Sequence, residues 1–171
     1  MKWLDVCSCP VNPGVIPLNG NVSMTRKNTQ IPALTTAARN EASICNTNEV
    51  DSLHILMALL RYETVASRAL ARHGVPAKLA LSKTEVIDGI DCYPVNQDIQ
   101  QSNEFKTIMS SAWSEMQRLE DNVANWGHAL LALLLHPDFI ACKKLMELGV
   151  DLESLRDSVI HEINSSSQAA G

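Results

Sequence analysis

The chain has 171 residues, of which 46% are hydrophobic and only 4% aromatic, and its formal net charge at pH 7 is −5. An apolar fraction near the globular average allows a core, and apolar residues that are mostly Ala, Leu, Val and Ile favour helices over strands. The acidic balance argues against nucleic acid and anionic membranes as partners, because affinity for phosphate-rich surfaces rests on Lys and Arg.

The amino-terminal segment is interpreted as an irregular arm over residues 1–28, since it is rich in Pro, Gly, Asn and Ser and shows no helical period. An early Asp5, and prolines where an apolar run should be, do not fit a signal peptide. No stretch of about eighteen uninterrupted apolar residues occurs, and five irregularly spaced cysteines fit reduced thiols better than a disulfide framework. We therefore expect a cytoplasmic protein, with Met24 as a second candidate start.

Four helices are predicted in the first half of the chain, over residues 31–45, 53–62, 64–73 and 76–90. One face of the first helix holds a small apolar set: Leu34, Ala37, Ala38, Ala42 and Cys45. The second helix is apolar almost all round, which predicts a buried position, and either Asp51 or Ser52 can cap its start. Gly74 should end the third helix, and Pro76 suits the first position of the fourth.

After a polar, turn-rich link, four more helices are predicted over residues 103–121, 126–136, 137–148 and 152–163. The first of them gathers one apolar face: Phe105, Ile108, Met109, Ala112, Met116 and Leu119. Asn125 can cap the second, Pro137 can open the third and Gly149 should end it. Asp151 can cap the last helix, with Val150 and Leu155 placed as a hydrophobic staple.

The second series repeats the first at a nearly constant offset. His54 and His128 are 74 residues apart, as are two Ala-Leu-Leu triplets, and two Gly-Val pairs are 75 apart. The predicted fold is therefore all-α, with eight helices in a tandem pseudo-twofold repeat of two four-helix units. A unit of about 65 residues would be marginal alone, so the two should pack together. The predicted boundaries are 29–164 for the repeat domain, 31–90 for repeat one, 91–101 for the link, 102–164 for repeat two and 165–171 for a frayed tail.

Both copies resemble a known family. The stretches VDSLHILMALLRYETVASRALARHGV and VANWGHALLALLLHPDFIACKKLMELGV share a helix start with His, a Leu- and Ala-rich helix, a short helix and a Gly-Val pair. This doubled pattern is similar to the amino-terminal repeat domain (Clp N or Clp R domain) of Clp-type AAA+ unfoldases. The resemblance implies a helical pseudo-dimer that binds adaptors and substrates for an attached ATPase ring. In a related branch, the domain binds a helix of a type VI secretion sheath protein in a groove.

Two features depart from the family pattern. The chain contains no Gly-Lys pair and so no phosphate-binding loop of an ATPase, which indicates a stand-alone domain or a fragment. In Gram-positive relatives, a Glu follows the Thr at each helix start and helps to bind phosphorylated arginine. The first matching position here is Leu53, and one extra residue predicted before His128 places the second near Trp126. Neither residue is acidic, so phosphoarginine recognition is not expected.

The paired units are expected to create a groove between them, and four residues at the two helix starts are predicted to bind a partner there: Ser52, Leu53, Asn125 and Trp126. For Trp126 two interpretations stay open, because Trp is enriched in binding hot spots but can equally fill the gap between the repeats. Trp113 has helical spacing with Met109 and Met116 and is predicted to lie in the core. Trp3 could dock the arm onto the helical body or onto a partner.

The histidines and cysteines offer alternatives that we weigh lower. His54 and His128 could act as ligands or acid–base groups, but the resemblance implies structural residues at the helix starts. Cys7 and Cys9 fall short of the four ligands of a zinc site. Cys45 and Cys142 have the spacing of small core residues, and no known hydrolase motif is present.

The predicted function is that of a non-catalytic protein-binding module with no cofactor and no metal. Its predicted partners are a Clp-type unfoldase, an adaptor, a substrate or a sheath protein. One alternative is a free-standing accessory subunit that docks on a Clp protease assembly. An alternative from another class is a small metal-dependent protein or enzyme that uses Cys and His.

Overall fold

Seven helices and one short strand pair make up the described part of the chain, residues 30–77 and 99–168 of a computed structural model. The helices are α1 (Ile31–Ile44), α2 (Ser52–Arg61), α3 (Val65–Arg72), α4 (Asn103–Arg118), α5 (Trp126–Leu134), α6 (Ile140–Glu147) and α7 (Leu152–Gln168). The all-α class is confirmed. The predicted arm and nearly all of the helix predicted over residues 76–90 lie outside the described residues.

Side-chain caps and glycines fix most of the helix ends, as the sequence predicts. Asp51 caps α2 and Asn125 caps α5. Gly74 and Gly149 follow α3 and α6 with φ of +72° and +79°, a left-handed conformation that is costly for residues with a Cβ. The start of α6 is the exception, because the helix begins at Ile140 and not at the predicted Pro137.

Helices α2 and α5 form the centre of the molecule. Every residue from Ser52 to Leu60 and from Trp126 to Leu134 is buried. A helix that is apolar on all sides is stable only when neighbours cover every side. Here α1 packs along α2, α4 packs along α5, and α3 packs against α7, which joins the two repeats. None of the helices in the described ranges is long and apolar enough to cross a membrane.

The turns after α1 and α4 also repeat, although their sequences do not show it. Asn46 after α1 and Glu120 after α4 both adopt left-handed backbone conformations, with φ of 52° and 57°. These two residues are 74 positions apart, as are the two N-cap residues of α2 and α5. A shared backbone conformation at an equivalent position shows that the two copies repeat in their turns as well as in their helices.

The prediction of an extra residue before His128 is wrong. The N-caps of α2 and α5 both lie three residues before the helix-start histidine, so the spacing is the same in both copies. The extra residue lies instead in the turn between α5 and α6, where the offset changes from 74 to 75. The position equivalent to Leu53 is therefore Gly127, and the position equivalent to Ser52 is Trp126.

The predicted core position of Trp113 is also wrong, since its side chain is 43% exposed. The buried stripe of α4 comprises Phe105, Ile108, Ala112 and Glu115. Met109 and Met116 lie at the margin of this stripe and are half-buried. Trp113 follows Ala112 by one position, which turns its side chain about 100° away from the core. Helical spacing with Met109 and Met116 does not predict burial of Trp113, because these two residues themselves lie only at the margin of the buried stripe.

One feature of the link was not predicted. Gln100 and Gln101 form a strand (β2) that pairs in parallel with Glu49 and Val50 (β1). The amide of Ser102 donates to the carbonyl of Val50 at 3.0 Å and extends this pairing to the start of α4. Two residues of strand per side are too short to show an alternating pattern in sequence. The pairing places the starts of α2 and α4 side by side.

Candidate protein-binding site

The two helix-start turns that contain the predicted site residues have the same hydrogen-bonded frame. Oδ1 of Asp51 accepts from the amides of Leu53 and His54, at 2.9 and 3.2 Å. In the reciprocal bond, the amide of Asp51 lies 3.2 Å from Nδ1 of the histidine ring. This is a capping box in which His takes the place of the usual Glu or Gln. In this geometry the ring of His54 forms part of the helix start.

The second turn repeats this frame with an amide in place of the carboxylate. Oδ1 of Asn125 accepts from the amides of Gly127 and His128 at 2.8 and 3.3 Å, and the amide of Asn125 donates to Nδ1 of His128 at 3.0 Å. The local fold of both turns thus follows from a short polar N-cap followed three residues later by histidine.

The first helical residue after each cap contacts the other repeat. Oγ of Ser52 donates to Oε2 of Glu104 at 2.6 Å and accepts from the amide of Ala141 at 3.3 Å. Its equivalent, Trp126, donates from Nε1 to the carbonyl of Gln30 at 3.1 Å. The Trp126 ring also makes an edge contact with Tyr62, at 5.3 Å between ring centroids. Both residues therefore join the repeats.

These contacts bear on the two interpretations of Trp126. The ring is buried and bonded to residues of the first repeat, as expected of a side chain that fills the gap between the copies. Ser52 and Leu53 are also buried, and Asn125 is half-buried. The four predicted residues thus lie in two structural turns, and partner binding by them stays a prediction.

The electrostatic environments of the two histidines differ. Burial alone lowers the pKa of His54, but its hydrogen bonds to Asp51 and Cys45 outweigh burial and raise the pKa to about 9. Nδ1 of His54 lies 2.8 Å from Oδ1 of Asp51. The neutral ring accepts from the Asp51 amide at Nδ1. When the ring is protonated, Nδ1–H donates to this carboxylate instead, and Nε2–H points to Oγ1 of Thr47 at 3.3 Å. The raised pKa of His54 therefore favours an ion pair with Asp51 in place of the capping bond.

The pKa of His128 is shifted in the opposite direction, below its ordinary value. Burial is the largest effect and lowers this pKa, and the nearby Asp121 only partly compensates. Because Nδ1 accepts from the amide of Asn125, the proton of the neutral ring is on Nε2, which lies 3.0 Å from Oδ2 of Asp121. A neutral histidine at this start turn keeps the Nδ1 capping bond and avoids burying a positive charge.

This difference predicts a pH dependence of stability. A folded pKa of about 9 for His54, against an ordinary value of 6.5, gives stability that is fully present below about pH 6.5 and is lost as pH rises through 9. For Asp51→Asn, which keeps a capping side chain, we expect this loss to disappear. The wild-type loss should be about 1–2 kcal/mol. The full rise of the pKa from 6.5 to about 9 would correspond to roughly 3.5 kcal/mol at ~1.4 kcal/mol per pKa unit, and partial solvation of Asp51 reduces it. Urea unfolding of both proteins at pH 6, 8 and 10 measures it, and parallel curves would contradict it.

Two exposed apolar features were missed by the sequence reasoning. The first is the flank of α4 that carries Trp113. The second we call the α6 stripe: Ile140, Lys144 and Leu148, spaced four residues apart along one side of α6 and the residue after it. Ile140 is 49% and Leu148 42% exposed. Isoleucine and leucine at helical spacing predict a buried face, so exposure could not be read from the sequence.

Two of the five cysteines, Cys45 and Cys142, lie within the described residues. Cys142 is buried in α6, its Sγ 3.3 Å from the carbonyl of Leu133, and burial raises the pKa of its thiol to about 12. Cys45 is half-buried. Within residues 30–77 and 99–168, no group of three or more His, Cys, Asp or Glu side chains is placed to hold a metal ion. Cys7, Cys9 and Cys92 lie outside the described residues.

Comparison with known proteins places these observations in a family context. A family model described as the Clp repeat (R) N-terminal domain matches residues 28–135, more than half of the chain. The chain is 27% identical over 135 residues to the chaperone protein ClpB of Oceanobacillus iheyensis. It is 31% identical over 134 residues to the ATP-dependent Clp protease ATP-binding subunit ClpA homolog of Cyanidium caldarium. Both alignments cover 78% of this chain but 17% and 16% of the relatives, so the chain spans about a sixth of their length.

Solved structures show the same fold. The N-terminal domain of the caseinolytic protease associated chaperone ClpD from Arabidopsis thaliana superimposes with a TM-score of 0.61 at 15% identity, over 80% of this chain and 96% of that one. The Hsp104 N-terminal domain from Candida albicans gives a TM-score of 0.57 at 17% identity, over 74% and 84% of the two chains. At these identities the likeness concerns the fold.

Proposed function

Because the chain belongs to the Clp repeat (R) N-terminal domain family, we propose that it is a non-catalytic protein-binding module that acts in the cytoplasm. Its partner is a Clp-type unfoldase, an adaptor, a substrate or a secretion-sheath protein. The observation that supports this proposal best is the match of the family model to residues 28–135. Among the described residues, the α6 stripe is an exposed apolar surface on a helix whose counterpart in the first repeat is covered by α7, and the segment equivalent to α7, residues 76–90, lies almost entirely outside the described residues.

The counterpart of the α6 stripe on α3 shows what such a surface accommodates. At an offset of 75, Ile140, Lys144 and Leu148 correspond to Val65, Ala69 and His73, and α7 packs against this side of α3. Ala69 is fully buried there, which allows a close approach of the two helices. Lys144 in its place would keep a neighbouring helix further away. The α6 stripe is therefore suited to a looser and exchangeable helix.

The contacts between α3 and α7 also indicate the charge of that helix. Glu162 of α7 accepts from Nε of Arg68 at 3.0 Å and from Nη1 of Arg72 at 2.6 Å. On α6 the position of Arg68 is taken by Lys143, which is exposed and adjacent to Lys144. We therefore commit to an amphipathic partner helix with two apolar residues two turns apart and an acidic side chain that faces the two lysines.

The test compares two variants of matched exposure on one helix. Leu148→Glu changes the α6 stripe, whereas Met146→Glu changes a residue that is 45% exposed on the opposite side of α6. In captures from a lysate of the source cell, read by mass spectrometry, wild type and Met146→Glu should retain an unfoldase, adaptor or sheath protein. Leu148→Glu should retain about tenfold less of this partner, because truncating or charging a hot-spot residue typically costs about 1–2 kcal/mol or more of binding free energy.

The other outcomes are informative. If all three proteins retain the partner equally, the α6 stripe is not the binding site. If residues 76–90 cross-link to the stripe, the chain's own segment is its occupant. Loss only in Trp126→Ala, with an unchanged melting temperature, would favour the helix-start turns instead. Recovery of a Clp protease subunit would favour the accessory-subunit role. Failure of the wild type to retain any protein contradicts the proposed function as a whole.

A further inference from the structure

An exposed tryptophan lies on the flank of α4 that faces α1. Oγ1 of Thr35 lies 3.9 Å from Sδ of Met109, which shows where α1 borders this flank. Trp113 lies one turn further along the same flank and is 43% exposed, and Met116 beside it is half-buried. We call these four residues the Trp113 face: Thr35, Met109, Trp113 and Met116.

The first described residue of the chain is fixed near one end of this face. The amide of Gln30 donates to the carbonyl of Ala124 at 2.9 Å, beyond the end of α4. In the second half of α1, Nη2 of Arg39 lies 3.5 Å from the carbonyl of Ile99, which precedes α4. Helices α1 and α4 are therefore antiparallel. Trp113, which is closer than Met109 to the end of α4, lies toward the end of α1 at which the preceding 29 residues join the body.

Those preceding residues contain a segment whose chemistry suits an exposed indole ring. Residues 10–17 read PVNPGVIP, with prolines at 10, 13 and 17 and three aliphatic side chains. Proline-rich segments of the P-x-x-P type favour the extended polyproline II conformation, which loses little entropy on binding and packs its rings on exposed aromatic side chains. We propose that residues 10–17 of this chain pack on the Trp113 face.

The length of the connection permits this contact. Twelve residues lie between Pro17 and Gln30, and at about 3.3 Å per residue they reach about 40 Å when extended. Trp113 lies about one and a half helical turns, or roughly 8 Å, from the end of α4, beyond which Gln30 is held. A tether of this kind gives an effective concentration in the millimolar range. The chain's own arm therefore occupies the face in preference to a second copy, and the contact requires no partner.

A disulfide formed in the full 171-residue chain tests this contact directly. Cys9 precedes Pro10, and Gln117→Cys puts a thiol on an exposed position one turn after Trp113. The control is Asp157→Cys, on an exposed position of α7, which borders the opposite flank of α4 through the Arg156–Glu115 ion pair. With oxidised glutathione, two thiols become one disulfide and two reduced glutathiones are released. We expect an intramolecular link from Cys7 or Cys9 to position 117 to form about tenfold faster than to 157, as expected for proximity.

A second change separates specific packing from mere tethering. In the Gln117→Cys background, Trp113→Ala or the triple change of Pro10, Pro13 and Pro17 to Ala should bring the rate down to that of the control position. Trp113 is exposed, so its removal should not unfold the body. Equal rates at 117 and 157, or a rate at 117 that is unaffected by these changes, would overturn the proposal. Disulfide-linked dimers as the main product would overturn it in favour of a second copy on the face.

Discussion

The Gly127→Leu variant is expected to lose most of its cooperative unfolding transition, even though leucine is the natural residue at the equivalent position 53. A Cβ built on Gly127 would lie 2.8 Å from Cγ1 and 2.9 Å from Cδ1 of Ile163, a fully buried residue of α7. A larger side chain would push α7 away from α5 and open the core. For Gly127→Ala we expect a loss of about 1–3 kcal/mol in the free energy of unfolding, typical of overpacking. Urea unfolding followed by circular dichroism measures both.

Two effects of Gly127→Ala oppose each other, and a second variant separates them. Alanine in a helix is favoured over glycine by up to about 1 kcal/mol, which is less than the cost of the contact. In an Ile163→Ala background, the contact atoms are absent, so adding Gly127→Ala should become neutral or stabilising. A stabilising effect of Gly127→Ala in the wild-type background would mean that α7 adjusts freely. In that case close packing between these helices does not require a glycine.

The sequence predicted well those features that depend on neighbouring residues. Asp51 and Asn125 cap their helices because a short polar side chain reaches amides two and three residues ahead, whatever the rest of the fold does. Gly74 and Gly149 end their helices because a left-handed conformation favours the absence of a Cβ. The buried centres of α2 and α5 follow from helices that are apolar on every side.

What escaped prediction depends on contacts between distant parts of the chain. The bond from Ser52 to Glu104 spans 52 positions, and the bond from Trp126 to Gln30 spans 96. The register of the repeat was misplaced by one residue because sequence offsets cannot say which turn holds an insertion. The candidate site is harder still to predict. Ile140 and Leu148 have the same periodicity as buried residues, and only the position of neighbouring helices leaves them exposed.

Loss of Arg61 is expected to have the second large effect. The side chain of Glu41 is only 1% exposed, and both of its carboxylate oxygens accept from the Arg61 guanidinium, with Nη2 at 2.9 Å from Oε2. This bidentate pair holds the last turn of α1 to the end of α2. Arg61→Met keeps most of the apolar stem but leaves a charged carboxylate buried. We expect the free energy of unfolding to fall by about 2 kcal/mol, less than the ~3–5 kcal/mol typical of a fully buried pair, because the Arg61 side chain is 31% exposed.

The control for Arg61 is a pair with similar chemistry but little burial. Lys144 and Glu147 are 3.0 Å apart, and both are exposed, so Lys144→Met should change stability by no more than about 0.5 kcal/mol. The double variant Glu41→Leu with Arg61→Met replaces the pair by apolar groups of similar size and should recover most of the loss. If Arg61→Met costs as little as Lys144→Met, the pair contributes no more than a surface contact, and apolar packing alone holds α1 to α2. If the double variant is as unstable as the single one, the lost free energy comes from the packing of the Arg61 stem and not from an uncompensated charge.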